Sequence, residues 1–178
     1  MKNYIFWQIQ VCFFLIAIAP LQAQKSDSYV KSGSSLFFLS DGQEFNHAFV
    51  SLGLSFEHQF SGQFSTNLNM SAARLLSSKF DYDYIRNVNS LEAELRFYPN
   101  NKGRGFYAGV SAVWYKDTEA KGFKSEKSNH FGSHINVGAQ FPLSNRFYLQ
   151  ANSQTGIYGK GFYTIARYGI QIMACIRL

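Results

Sequence analysis

Glu57, Glu92, Glu94, Arg96, His134, Arg167 and Arg177 are the residues whose types could move protons or relay charge. Two carboxylates two positions apart, Glu92 and Glu94, could serve as general acid and base. The same spacing is how a strand sets two side chains on one face, and three carboxylates against three guanidiniums there form a near-neutral structural network, which is the reading adopted. His130 and His134 stand four apart, a spacing that converges on a metal only along a helix. No nucleophile motif supports a Ser–His–acid triad, and Gly159-Lys160-Gly161 lacks the strand, spacing and helix of a phosphate-binding loop. These residues point to no cofactor, no metal and no catalytic centre.

Strands must position them. Leu91 to Trp114 reads LEAELRFYPNNKGRGFYAGVSAVW, two alternating arms joined by a Pro/Asn/Gly-rich turn. On the first arm Leu91, Ala93, Leu95 and Phe97 share one face, while Ser90, Glu92, Glu94, Arg96 and Tyr98 share the other. The second arm sets Phe106, Ala108, Val110, Ala112 and Trp114 against Tyr107, Gly109, Ser111, Val113 and Tyr115. Alternation does not say which face is buried; composition does. A soluble protein would carry Lys and Glu on its outward polar face, whereas this face carries Gly, Ser, Tyr and a local Glu/Arg set that suits an interior. The apolar face is then expected to meet lipid.

The pattern recurs along the chain. A first strand is expected from Tyr29 to Ser40, with Leu36 and Phe38 on one face, and a second from His47 to Phe60, where Ala48, Val50, Leu52, Leu54 and Phe56 oppose Ser51, Gly53, Ser55, Glu57 and Gln59. Ser61-Gly62 turns into a third, through Phe64, Leu68, Met70 and Ala72. A sixth carries Phe131 to Phe141 and turns its even-numbered side chains, His134 among them, inward. Phe147 to Gln154 makes a seventh, and Ile165 to Leu178 an eighth that sends Arg167 and Arg177 inward. Asp41 to Asn46, Ser77 to Asn87, Lys116 to Ser128 and the residues around Gly159 and Gly161 read as the longer connections. Phe60 and Phe64, Phe97 and Phe106, and Phe141 and Phe147 flank the three shorter turns and form one lipid-interface ring; Trp114, Phe131 and Tyr168 supply the other. The expected fold is all-β: an eight-stranded antiparallel up-and-down transmembrane β-barrel, narrow enough for side chains to fill it and close any pore.

Residues 1–23 read as a signal peptide, with Lys2 ahead of an apolar run from Val11 to Ala19 too short to span a bilayer and Ala23 at the cleavage site; residues 24–178 then form one barrel domain. Cys12 lacks the small residue before it that a lipoprotein signal requires. Its removal leaves Cys175 alone, so no internal disulfide forms. The net charge is +6, but the lysines after Lys2 lie at the mature amino end or in connections, and no nucleic-acid role is implied.

Glu94-Leu95-Arg96-Phe97-Tyr98-Pro99, followed by Gly105-Phe106-Tyr107-Ala108-Gly109-Val110 and by the alternating strand that closes on Leu178, makes the sequence resemble the small outer-membrane β-barrel proteins of Bacteroidota and, in build, the OmpX and OmpA membrane domains. The resemblance implies insertion into the outer membrane by the barrel-assembly machinery, contact with outer-membrane lipid and lipopolysaccharide, and a structural or surface-interaction role through extracellular loops toward an unidentified ligand. Phe80-Asp81-Tyr82-Asp83-Tyr84, and Lys121, Lys124 and Lys127 interleaved with Glu119 and Glu126, are the loop residues open to such contacts. Two other classes remain: a barrel enzyme that modifies outer-membrane lipid, and a secreted lipocalin-like carrier with the apolar face inward. Resemblance to lipid A deacylases would require a lipid-facing His with Ser two positions on; Phe60 follows His58, and Asn136 follows inward-facing His134.

Overall fold

The computed structural model describes residues 27–40, 45–78, 83–100, 104–121, 124–160 and 163–178; the expected signal peptide lies outside them, as do Phe80, Asp81 and Tyr82. Eight strands follow one another as β1 (Asp27–Ser40), β2 (Phe45–Gln59), β3 (Phe64–Ser78), β4 (Asp83–Phe97), β5 (Phe106–Lys121), β6 (Lys124–Pro142), β7 (Phe147–Lys160) and β8 (Tyr163–Arg177). Each pairs antiparallel with the next, and β8 pairs back onto β1, so the sheet is a closed barrel without an edge. This is the all-β, eight-stranded up-and-down architecture.

Period-two alternation decides which side chain goes where. Leu52, Leu54, Phe56, Leu68, Met70, Val110, Ile135, Val137, Ile170 and Ile172 are exposed on the outer wall, while Lys31, Glu57, Glu92, Glu94, Arg96, Gln150 and Arg167 are buried within. Polar inside and apolar outside is the inverse of a soluble protein. Phe64, Phe97, Phe106, Phe141 and Phe147 all face outward beside the turns after β2, β4 and β6. Phe60 is half-buried, its ring stacked on Phe64 at 6.4 Å. The first turn is closed by the Phe60 and Ser61 amides, both donating to the Phe64 carbonyl, while the Ser61 hydroxyl accepts from the Gln63 and Phe64 amides.

The connections differ from the expectation. Ser77 to Asn87 and Lys116 to Ser128 are mostly strand: β3 runs to Ser78, β4 starts at Asp83, β5 reaches Lys121 and β6 resumes at Lys124. Asn, Asp, Lys and Ser weaken the alternation there, yet a neighbouring strand offers partners to their backbone groups, β2 to the end of β3 and β5 to the start of both β4 and β6, and the ladder continues. Length asymmetry between the two ends therefore lies in the strands, since the longest connection, 98–105, is at the turn end. Register shifts between Ile85 and Asn87, and between Ala48 and Phe49, confine irregularity to the far end.

Close approach of backbones restricts Gly33, at the closing seam between β1 and β8. A Cβ there would collide with the Ile172 carbonyl oxygen and lie 2.6 Å from the Met173 Cα, whereas one on Gly159 would meet nothing within 4 Å. Gly33→Val should lower the yield of folded barrel on refolding into detergent, at a cost of about 1–3 kcal/mol from overpacking, while Gly159→Ala leaves it unchanged. Unboiled gel mobility reads both variants, and equal yields would contradict this account of the seam.

Candidate functional site

The interior is organised in tiers. Nearest the turn end, Asp27 accepts from Arg177 at 2.5 Å and pairs with Arg104 at 3.8 Å, and Tyr29 meets Tyr148 edge to face at 5.7 Å. Arg177 is thus at the mouth, its side chain 27% exposed, and takes no part in the buried network; being at the last position of β8 carries it past the packed interior.

Above that mouth lies a buried charge cluster. The Glu57 carboxylate accepts from Lys31, from the Ser65 hydroxyl, from Arg96 Nη1 at 2.9 Å, from the Tyr98 hydroxyl at 2.6 Å and from Gln140 Nε2 at 3.2 Å. Arg96 also donates through Nε and Nη2 to Glu94 Oε2, at 2.8 and 2.7 Å, and its guanidinium lies 4.4 Å over the Tyr107 ring. Gln150 Oε1 accepts from both Lys31, at 2.6 Å, and Arg96, at 3.0 Å. Two cations and two carboxylates balance, which is the condition for burying them together.

A second cluster lies further up. Glu92 Oε1 accepts from Ser111 at 2.5 Å, from Asn136 at 3.2 Å and from His134 Nδ1 at 3.2 Å. His134 Nε2 meets the Tyr115 hydroxyl, and Arg167 donates to that hydroxyl at 3.2 Å. A continuous chain of contacts thus runs from Arg167 through the Tyr115 hydroxyl and the His134 imidazole to Glu92, a carboxylate that can only accept. Asp117 and His130 pair at 3.5 Å on neighbouring strands. Phe37, Leu39, Phe49, Ile85, Val88 and Val113 form an apolar cluster at the far end, with Phe37 and Phe49 stacked at 5.0 Å and the Arg167 guanidinium 3.9 Å over Phe37.

The structure therefore brings Glu57, Glu94 and Arg96 together, and separately Glu92, His134 and Arg167. Sequence reasoning missed Lys31, assigned to the amino-terminal end; its parity with Tyr29 was the available signal, and it is fully buried beside Glu57. It also missed Asp117, placed in a connection that is strand, and the inward Phe37 and Phe49. His58 faces outward and shares a hydrogen bond with Ser28 across β1 and β2 at 3.0 Å, a base and a hydroxyl adjacent in space though not in sequence. Among the residues whose side chains are described, no carboxylate faces outward to orient that imidazole.

No family model and no curated protein matches the chain. Solved structures do. Neisserial surface protein A aligns with a TM-score of 0.65 at 9% identity, over 87% of this chain and 100% of its own. Ail, the attachment invasion locus protein of Yersinia pestis, aligns with a TM-score of 0.56 at 12% identity, over 86% and 100%. The amino-terminal β-barrel domain of Pseudomonas aeruginosa OprF aligns with a TM-score of 0.50 at 17% identity, over 87% and 100%. The chain has the fold of the eight-stranded outer-membrane barrels.

Removal of one partner from a buried, balanced cluster strands the others. Arg96→Ala leaves Glu57 and Glu94 underpaired and should destabilise the folded barrel by about 3–5 kcal/mol, whereas Arg177→Ala at the hydrated mouth should cost less than about 1 kcal/mol. Urea midpoints of the folded, unboiled band measure the difference, and equal midpoints for the two variants would contradict the tiered interior.

Proposed function

We propose that the protein is an integral outer-membrane β-barrel that holds its far-end hairpins at the cell surface in a structural or interaction role and forms no open pore. The carrying observation is the inversion of polarity across one wall: aliphatic and aromatic side chains outside, paired charges inside. An apolar wall of this kind is unstable in water and stable in lipid, where a closed barrel leaves no backbone group unpaired. A lipocalin-like carrier would need the reverse polarity to hold an apolar ligand. The two ion clusters and the stacked Phe37–Phe49 pair lie across the lumen, which supports the absence of a pore. Phe60, Phe64, Phe97, Phe106, Phe141 and Phe147 serve in this reading as the interfacial girdle at the periplasmic side, and the interior charges as a structural tie without catalytic work. The signal peptide over residues 1–23 and insertion by the barrel-assembly machinery complete the route to that membrane.

The mature protein should fractionate with outer membranes, run faster on a denaturing gel before boiling than after, and give no stepwise conductance in planar bilayers. A soluble protein without heat-dependent mobility would overturn the membrane reading; discrete conductance steps would overturn the sealed lumen.

A further inference from the structure

The outer wall changes character sharply in one sector. Across β2 to β6 the register sets Leu54, Met70, Leu91, Trp114 and Phe131 side by side as one apolar outward row. The next outward row toward the far end is Leu52, Ala72, Asn89, Lys116 and Asn129, and the one beyond is Val50, Arg74, Asn87, Thr118 and Lys127. Each row is two residues, about 7 Å of strand, from the last. The wall thus passes within one step from hydrocarbon-compatible to cationic, at the height where an interfacial Trp gives way to headgroups.

Those rows enclose an open groove of about 570 Å³, with Arg74, Lys116 and Lys127 around Asn87 and Asn89 and with Leu52 at its side. Among the described residues, no ion pair engages Arg74, Lys116 or Lys127. The described acids, Asp27, Glu57, Glu92, Glu94 and Asp117, all lie on the inward side, so among the described side chains the wall offers no anion in return. Among the described side chains, the strand cations that face outward, Arg74, Arg86, Lys116 and Lys127, all belong to β3–β6, on one side of the barrel.

We propose that this groove binds the phosphate of a phosphorylated glycolipid headgroup in the outer leaflet. Arg74, Lys116 and Lys127 would hold the phosphate oxygens through charge-assisted hydrogen bonds, with the Asn87 and Asn89 amides as neutral donors. The apolar row directly below, from Leu54 to Phe131, provides the surface on which the acyl chains of the same molecule lie; a free phosphate has no use for it. The site rests on the reading of the far end as the outer surface.

The test uses the folded mature protein in detergent with three probes: bisphosphorylated lipid A, the same lipid after enzymatic dephosphorylation, and inorganic phosphate. Native mass spectrometry should show the bisphosphorylated lipid held about tenfold or more tightly than the dephosphorylated one, and phosphate alone should leave the melting temperature unmoved. That preference should vanish in the R74Q/K116Q/K127Q variant and persist in Arg146→Gln at the opposite end. Unboiled gel mobility confirms folding of each, and K116Q and K127Q singly report the same loss in smaller measure should the triple variant not fold. Equal retention of the two lipids, undiminished binding by the folded variants, or phosphate binding as tight as lipid would overturn the proposal. Absence from the outer membrane in cells would instead overturn the location alone, because affinity is measured in detergent.

Discussion

A charge buried inside a protein is costly unless another group compensates it, and the Glu57 carboxylate shows how that obligation shapes the barrel. Its donors come from β1, β3, β4, the turn after β4, and β6, and Gln150 of β7 shares three of them. One carboxylate thereby cross-ties strands on opposite sides of the sheet. An unpaired charge would cost several kcal/mol in such surroundings, so the cluster specifies strand register more sharply than the apolar wall, whose aliphatic side chains slide over one another at little cost.

The fold was legible because its physics has a short period. Alternation every two residues, with Gly, Ser and Tyr on the polar face, was enough to separate wall from lumen along the middle of β2 to β8, and closure of β8 on β1 follows from having no apolar layer to cover an edge. Strand ends were not legible. Asn87, Lys116 and Asp117 continue strands because partners exist across the ladder, a fact that no local pattern carries.

The interior was legible by parity only as far as the strands were. Glu57, Glu94 and Arg96 share a parity and a level, while Glu92, His134 and Arg167 meet one tier higher; that division depends on stagger between strands, which a linear sequence does not display. Lys31 escaped because a lysine near the amino end reads as solvated, and the contacts that bury it are supplied by β2 and β7. The adjacency of Ser28 and His58 likewise depends on β1–β2 register. The outward cations of β3–β6 were visible as residues but not as a sector, since only the register sets Arg74, Lys116 and Lys127 around one groove.

Everything turns on which face of the strands meets lipid. Nitroxide labels placed singly at Ala108, Val110, Ser111, Ala112 and Val113 of β5, in a Cys175→Ala background reconstituted in bilayers, would report it by electron paramagnetic resonance power saturation. The account predicts high accessibility to dissolved oxygen at Ala108, Val110 and Ala112, and low accessibility at Ser111 and Val113, an alternation in step with the exposed and buried positions of that strand. An alternation of opposite phase would place the apolar face within, and either that or the absence of any alternation would contradict the account.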